Sequence, residues 1–144
     1  MNKNNDPIKE NKEEKLPPLS RLALRTIAMP ADTNAYGDMF GGWILSQMDM
    51  AGGNTAALYA GGRTVTVAID AMTFLQPVAV GDEVSCYAEV IRVGRTSITI
   101  QIQTWARQRT SEVARKVTEG TFTFVAIDKD GKPTKLTHLG LSSS

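Results

Sequence analysis

The chain has one cysteine, Cys86, and one histidine, His138, among 144 residues. A lone cysteine rules out an intrachain disulfide and leaves a metal cluster or dithiol redox pair without its second member. Cys86 lies in an alternating apolar stretch, where it suits the role of a small core residue. A lone histidine in the C-terminal fringe leaves a Ser-His-Asp triad, a Cys-His pair or a histidine-based dehydratase without its base. Charge of one sign is also missing, with 16 Lys and Arg against 15 Asp and Glu. No basic surplus exists to coat a nucleic acid, and no acidic surplus suggests a disordered activator. No apolar run approaches the roughly 20 residues that span a bilayer, and "MNKNNDPIKENKEEKLPP" lacks the apolar segment of a secretory signal. The expectation is a cytoplasmic protein without membrane insertion. P-loop, dinucleotide and metal-ligand spacings are absent as well.

What is present fits one domain with loose ends. Residues 1–18 are rich in Asn, Lys and Glu, close on Pro17 and Pro18, and read as a disordered tail. The domain spans 19–136, and 137–144, "THLGLSSS", reads as a flexible tail. "RLALRTIAMP" predicts a first strand ended by Pro30, and "ADTNAYGDMFGG" a turn-rich approach to one long helix, "WILSQMDMAGGNTAALYA", ended by Gly61 and Gly62. Apolar residues surround much of that helix, predicting burial on most sides, and Gly52 and Gly53 predict close approach by another backbone. Four β-rich runs follow: "RTVTVAIDAMTFL", "DEVSCYAEVIRV", "RTSITIQIQTWARQ" and "ARKVTEGTFTFVAI". Val65, Val67 and Ile69 predict one shared face, and Ile98, Ile100 and Ile102 another, by the period of two of a half-buried strand. The layout is α+β: a curved antiparallel sheet of five or six strands wrapped around a buried helix.

Two features of the helix carry chemistry. Asp49 stands among Trp43, Ile44, Leu45, Met48 and Met50, and no Lys or Arg lies between Arg25 and Arg63. A carboxylate in such a setting meets a partner from elsewhere, hydrogen-bonds structurally to backbone or Asn54, or faces water that it uses. At the helix start, Gly41 and Gly42 present N–H groups without intrahelical acceptors, an arrangement suited to a developing oxyanion or simply to a tight turn. Seven helical steps carry Gly42 to the same face as Asp49 but roughly 10 Å along the axis. A base, an attacking water and an oxyanion donor must lie within a few ångströms of one another. If both features are catalytic, they therefore serve one substrate from two subunits related by a two-fold axis. In the approach loop, Asp38 suits a helix cap and Asn34 a turn; Asn34 can also orient a water or donate to a carbonyl oxygen.

"NAYGDMFGGWILSQMDMAGG" resembles the hotdog-fold acyl-CoA thioesterases, most closely their YciA-type bacterial branch, in which N-x-x-G-D-x-F-G-G leads into a helix carrying M-D. The resemblance continues through "RTIAMPADTN", "VTVAIDAMTFLQPVAVGDEV", "VGRTSI" and "GTFTFVAID", covering about residues 21–128. It implies a hotdog fold whose subunits join sheets edge to edge, Asp49 as general base or nucleophile, Asn34 as an amide that positions water, and Gly41 and Gly42 as the site receiving the thioester oxygen, with Asp38 in support. Many relatives have His where Phe40 stands, so an imidazole role does not carry over. Coenzyme A enters as part of substrate and product, and no separate cofactor is implied. Its phosphates need partners, and Arg92 and Arg95, flanking the Gly94 hairpin with Thr96 and Ser97, are the candidates, beside the alternative of a solvated hairpin.

The resulting expectation is hydrolysis of an acyl-CoA thioester by a homo-oligomer, at least a dimer and a trimer of dimers by analogy with YciA-type relatives. It has no nucleic-acid partner. A non-catalytic acyl-CoA-binding sensor of the same fold is the alternative, and a hotdog dehydratase is disfavoured by the missing histidine.

Overall fold

The computed structural model describes residues 15–136; the expectations for residues 1–14 and 137–144 lie outside the described residues. Five strands and one helix follow in the order β1 (Leu22–Ile27), α1 (Gly41–Ala60), β2 (Thr64–Phe74), β3 (Glu83–Val93), β4 (Ser97–Arg107) and β5 (Ala114–Ala126). All neighbouring strands pair antiparallel, in the spatial order β1-β3-β4-β5-β2. One sheet therefore curves against one helix, leaving β1 and the longer β2 as its edges.

The core is centred on the inward faces of β4 and β5, with Val84, Cys86 and Ala88 of β3 beside them. Ile98, Ile100 and Ile102 of β4 are buried, and the first two pair with Phe124 and Phe122 of β5. The two phenyl rings stack at 6.3 Å between centroids. α1 turns Ile44, Met48, Ala51, Gly52, Ala56 and Ala60 onto this surface. Small residues along the stripe let the helix sit close. A Cβ added at Gly52 would lie 2.6 Å from Ile102 Cδ1 and 2.8 Å from Phe124 Cζ, so side chains, and not another backbone, fill the space beside it. The sheet covers only one side of α1: Met50 and Leu58 stand exposed on the other, where burial on most sides was expected. Cys86 is buried in the core, as its alternating context predicts.

β2 departs from simple alternation. Thr66 pairs with Phe124 and Ala68 with Thr123, which leaves Val67 in a bulge; a second shift separates Asp70, opposite Thr121, from Thr73, opposite Glu119. Each extra residue inverts which face the following side chains occupy. Val65 and Ile69 consequently face opposite sides, and all three of Val65, Val67 and Ile69 are exposed, contrary to the shared buried face expected of them. In the second bulge Ala71 takes a φ of 54°, and Met72 lies over Gly120, where a Cβ would collide with its sulfur.

α1 ends as Gly61, at a φ of 71°, donates its N–H to Ala57 O at 2.9 Å. Its start is held from outside. Buried Asp82 accepts the Ala79 N–H at 3.0 Å and the Arg115 guanidinium at 2.6 Å, and Arg115 also donates to Pro77 O. The turn thus fixed bonds the approach loop, Met39 N–H donating to Val78 O and Val80 N–H to Gly37 O.

Candidate active site

Asp49 lies midway along α1, partly exposed, on a flank facing the start of β2. The Thr66 hydroxyl donates to Asp49 Oδ1 at 2.6 Å. Oδ2 has no partner, and Asp49 makes no ion pair, among the described residues. The partner from elsewhere is thus a hydroxyl, which orients the carboxylate and leaves its second oxygen open. Thr66 escaped sequence reasoning. Its only signal there was a hydroxyl in the β run immediately after the helix.

At the helix start the N-cap is Phe40, and no side chain caps the turn. Asp38 does not cap the helix: its backbone pairs with Asn34 and bridges to Ala79, two residues before the N-cap. With the cap position unfilled, the Gly41 and Gly42 N–H groups have no acceptor among the described residues. They point into solvent with the positive end of the helix dipole. A Cβ at Gly42 would meet nothing within 4 Å, so the approach to its amide is open.

Asn34 closes the preceding loop on itself. Its Oδ1 accepts the Tyr36 N–H at 2.8 Å and the Asp38 N–H at 3.1 Å. That commitment orients the amide, and its NH₂ has no partner among the described residues, leaving a donor for water or a carbonyl oxygen. Asn34 is thus a turn residue, as one sequence reading has it, and its NH₂ stays open for the other.

Beside Gly41 opens a cleft of about 360 Å³, lined by Met39, Ile44, Phe74, Leu75, Gln76 and Pro77. That volume lies at the small end of ligand sites, roughly 300–1,000 Å³. The hairpin between β3 and β4 forms around Gly94, whose N–H donates to Ser97 O at 2.8 Å. Arg92 and Arg95 are exposed there, without ion pairs among the described residues, beside Thr96 and Ser97. No cluster of His, Cys, Asp and Glu among the described residues is arranged to hold a metal. No helix there is long and apolar enough to cross a membrane.

Comparison with known proteins is consistent in every direction. A family model described as "Thioesterase superfamily" matches residues 36–113. The acyl-CoA thioester hydrolase YciA of Salmonella typhimurium is 54% identical over 122 residues, covering 83% of this chain and 92% of the relative. Among solved structures, a hexameric thioesterase from Yersinia pestis is 55% identical with a TM-score of 0.78, covering 82% of this chain and 96% of that one. A hexameric hotdog fold thioesterase of Campylobacter jejuni is 39% identical with a TM-score of 0.76, covering 81% and 90%.

Proposed function

We infer that this chain, which belongs to the thioesterase superfamily and within it to the hotdog-fold acyl-CoA thioester hydrolases, cleaves its substrate with Asp49 of one subunit and the helix start of another. The observation carrying the shared site is the placement of both features against one edge strand. Thr66 near the start of β2 holds Asp49, and Phe74 at its end packs against Gly41. β2 is a long, exposed sheet edge bearing Val65, Val67 and Ile69, a template for another strand. A second copy adding its β2 antiparallel about a two-fold axis lays the start of one strand beside the end of the other. Asp49 and Thr66 of one protomer then meet Gly41 and Gly42 of its partner. Assembly of such dimers into a hexamer is supported by the hexameric Yersinia and Campylobacter relatives.

In this site the thioester oxygen rests on the Gly41 and Gly42 amides, which stabilise the negative charge as the carbonyl becomes tetrahedral. Asp49 takes a proton from the attacking water, whose oxygen bonds to the carbonyl carbon. Collapse breaks the C–S bond, and the free acid and coenzyme A leave, the thiolate regaining a proton. Direct attack by Asp49, through an anhydride that water then opens, uses the same placement. The Asn34 NH₂ orients the water or the carbonyl, and Asp38 serves by bracing the Asn34 turn. Arg95 and Arg92, with Thr96 and Ser97, hold coenzyme A phosphates at the exposed hairpin. Coenzyme A arrives within the substrate, so no separate cofactor takes part. The polyanionic ester does not cross membranes unaided, which supports action in the cytoplasm.

The experiment is thiol release from acyl-CoAs spanning acetyl to palmitoyl, by the parent and by Asp49→Ala. General-base assistance contributes about 10²–10⁴-fold, so the variant should lose turnover by that factor while still binding the ester. Near-full turnover by the variant would overturn the role of Asp49. Saturable binding without thiol release by the parent would instead mark a ligand sensor. The protein's own thiol does not confuse the readout, because burial pushes Cys86 up to about 11.

A further inference from the structure

The geometry points to Phe74 as the wall that sets how long an acyl chain the cleft beside Gly41 accepts; the inference rests on the thioester-hydrolase reading above. Three observations carry it. First, the cleft opens at Gly41, whose N–H lacks an acceptor among the described residues, so a carbonyl held there must send one of its two arms past this residue. The side chains that line it are apolar apart from the Gln76 amide, with Met39, Ile44, Leu75 and Pro77 contributing, and backbone groups lie open between them. Side chains of this kind suit the hydrocarbon arm, which needs apolar contact and no hydrogen-bond partner.

Second, Phe74 is half exposed, although it is a large aromatic residue. Its ring lies 3.5 Å from where a Cβ on Gly41 would stand, so the glycine is what admits the ring to the mouth of the cleft. Third, the backbone is shaped to aim it. Ile69 pairs with Phe122, whose side chain belongs to the core, and alternation from there would turn residue 74 to the outer face. The bulge at Ala71 and Met72 adds one residue, and Phe74 comes into register with buried Thr118 on the helix-facing side. Ala71 adopts its positive φ to make this possible. A strand that accepts strain just before an inward-turned aromatic side chain places that ring with purpose.

The test is kcat/KM for acetyl-, butyryl-, octanoyl- and palmitoyl-CoA with the parent, Phe74→Ala and Phe74→Trp, alongside thermal melts that confirm folding. One methylene in an apolar pocket is worth about 10–200-fold in discrimination. Phe74→Ala should therefore raise the ratio of long-chain to short-chain kcat/KM at least about tenfold, and Phe74→Trp should lower it. A common factor at every chain length, in both variants, would overturn the inference and assign the cleft to the pantetheine arm. The dissociation constants of the same esters, measured calorimetrically with Asp49→Ala in the presence and absence of Phe74→Ala, provide a readout independent of turnover. A chain-length shift in binding without thiol release from the parent would support the wall while refuting hydrolysis. Chain-length-independent binding in both would overturn the wall alone.

Discussion

The Thr66 hydroxyl donates to Asp49 Oδ1 at 2.6 Å across 17 residues of sequence, tying the start of β2 to the middle of α1. A hydrogen bond to a charged group is worth about 1.5–3 kcal/mol, or roughly 10–100-fold in rate if it is fully expressed in the transition state. Thr66→Val should lower kcat by about that factor with little change in KM, and Thr66→Ser should restore most of it. Equal kcat for the valine and serine variants in steady-state assays would show that the hydroxyl only packs.

Asn34 separates two duties within one side chain, because its oxygen closes the turn and its NH₂ is left to donate. Asn34→Asp keeps both acceptor bonds and removes the donor; Asn34→Ala removes all. The aspartate variant should melt within about 0.5 kcal/mol of the parent yet turn over at least tenfold more slowly. The alanine variant should lose stability as well. Melting curves set beside thiol-release rates check both expectations, and full activity in the aspartate variant would remove the NH₂ from the chemistry.

At Gly52 the helix sits close against the sheet. Adding one methyl there meets Ile102 Cδ1 and the Phe124 ring, both buried and unable to retreat into solvent. Alanine ordinarily gains up to about 1 kcal/mol over glycine in a helix, but overpacking costs about 1–3 kcal/mol. Gly52→Ala should therefore be net destabilising, with a lower denaturant midpoint at unchanged slope. A raised midpoint would mean that the core yields more easily than its burial implies.

Acid should weaken the fold through Glu83. The Arg107 side chain hydrogen-bonded to it, helped by the charges of Arg25 and Arg107 and opposed by burial, holds its carboxyl below the ordinary 4.5. A carboxylate depressed in the folded state contributes stability above its unfolded value and loses it as pH falls through the folded value. Stability should thus decline below about pH 4.5. Glu83→Gln should melt lower than the parent at neutral pH, with the gap closing toward pH 3; a constant gap across that range, by calorimetry, would assign the effect to packing.

The elements were legible because each announces itself over short distances. Alternation in Ile98, Ile100 and Ile102 marks β4, and Gly61 supplies the left-handed residue that ends α1. Asp49 was conspicuous because a carboxylate between Met48 and Met50 violates its surroundings. What stayed hidden depends on three-dimensional register. Thr66 is one hydroxyl among several in its strand, and only the pairing of β2 with β5 turns it toward the helix. Asp38 looked like a cap from its distance to the glycines, but the loop's bonds to Val78 and Ala79 spend it two residues too early. The opposite faces of Val65 and Ile69 are hidden for the same reason, since a bulge leaves almost no trace in a hydrophobic pattern.

That bulged strand makes β2 unequally tolerant of different kinds of change. Replacing a side chain there alters one contact, and deleting the extra residue of a bulge removes a kink while keeping the pairing on both sides, whereas a residue added to the paired stretch with no bulge to absorb it re-phases everything beyond it. Losing Ala71 would leave Phe74 opposite Thr118 in a straighter strand, and losing Val67 would leave Ile69 opposite Phe122. Homologous chains should therefore lose a bulge residue from this strand more readily than they gain a further one, and a recombination point that adds a residue to its paired stretch would scramble a site whose residues all survive intact.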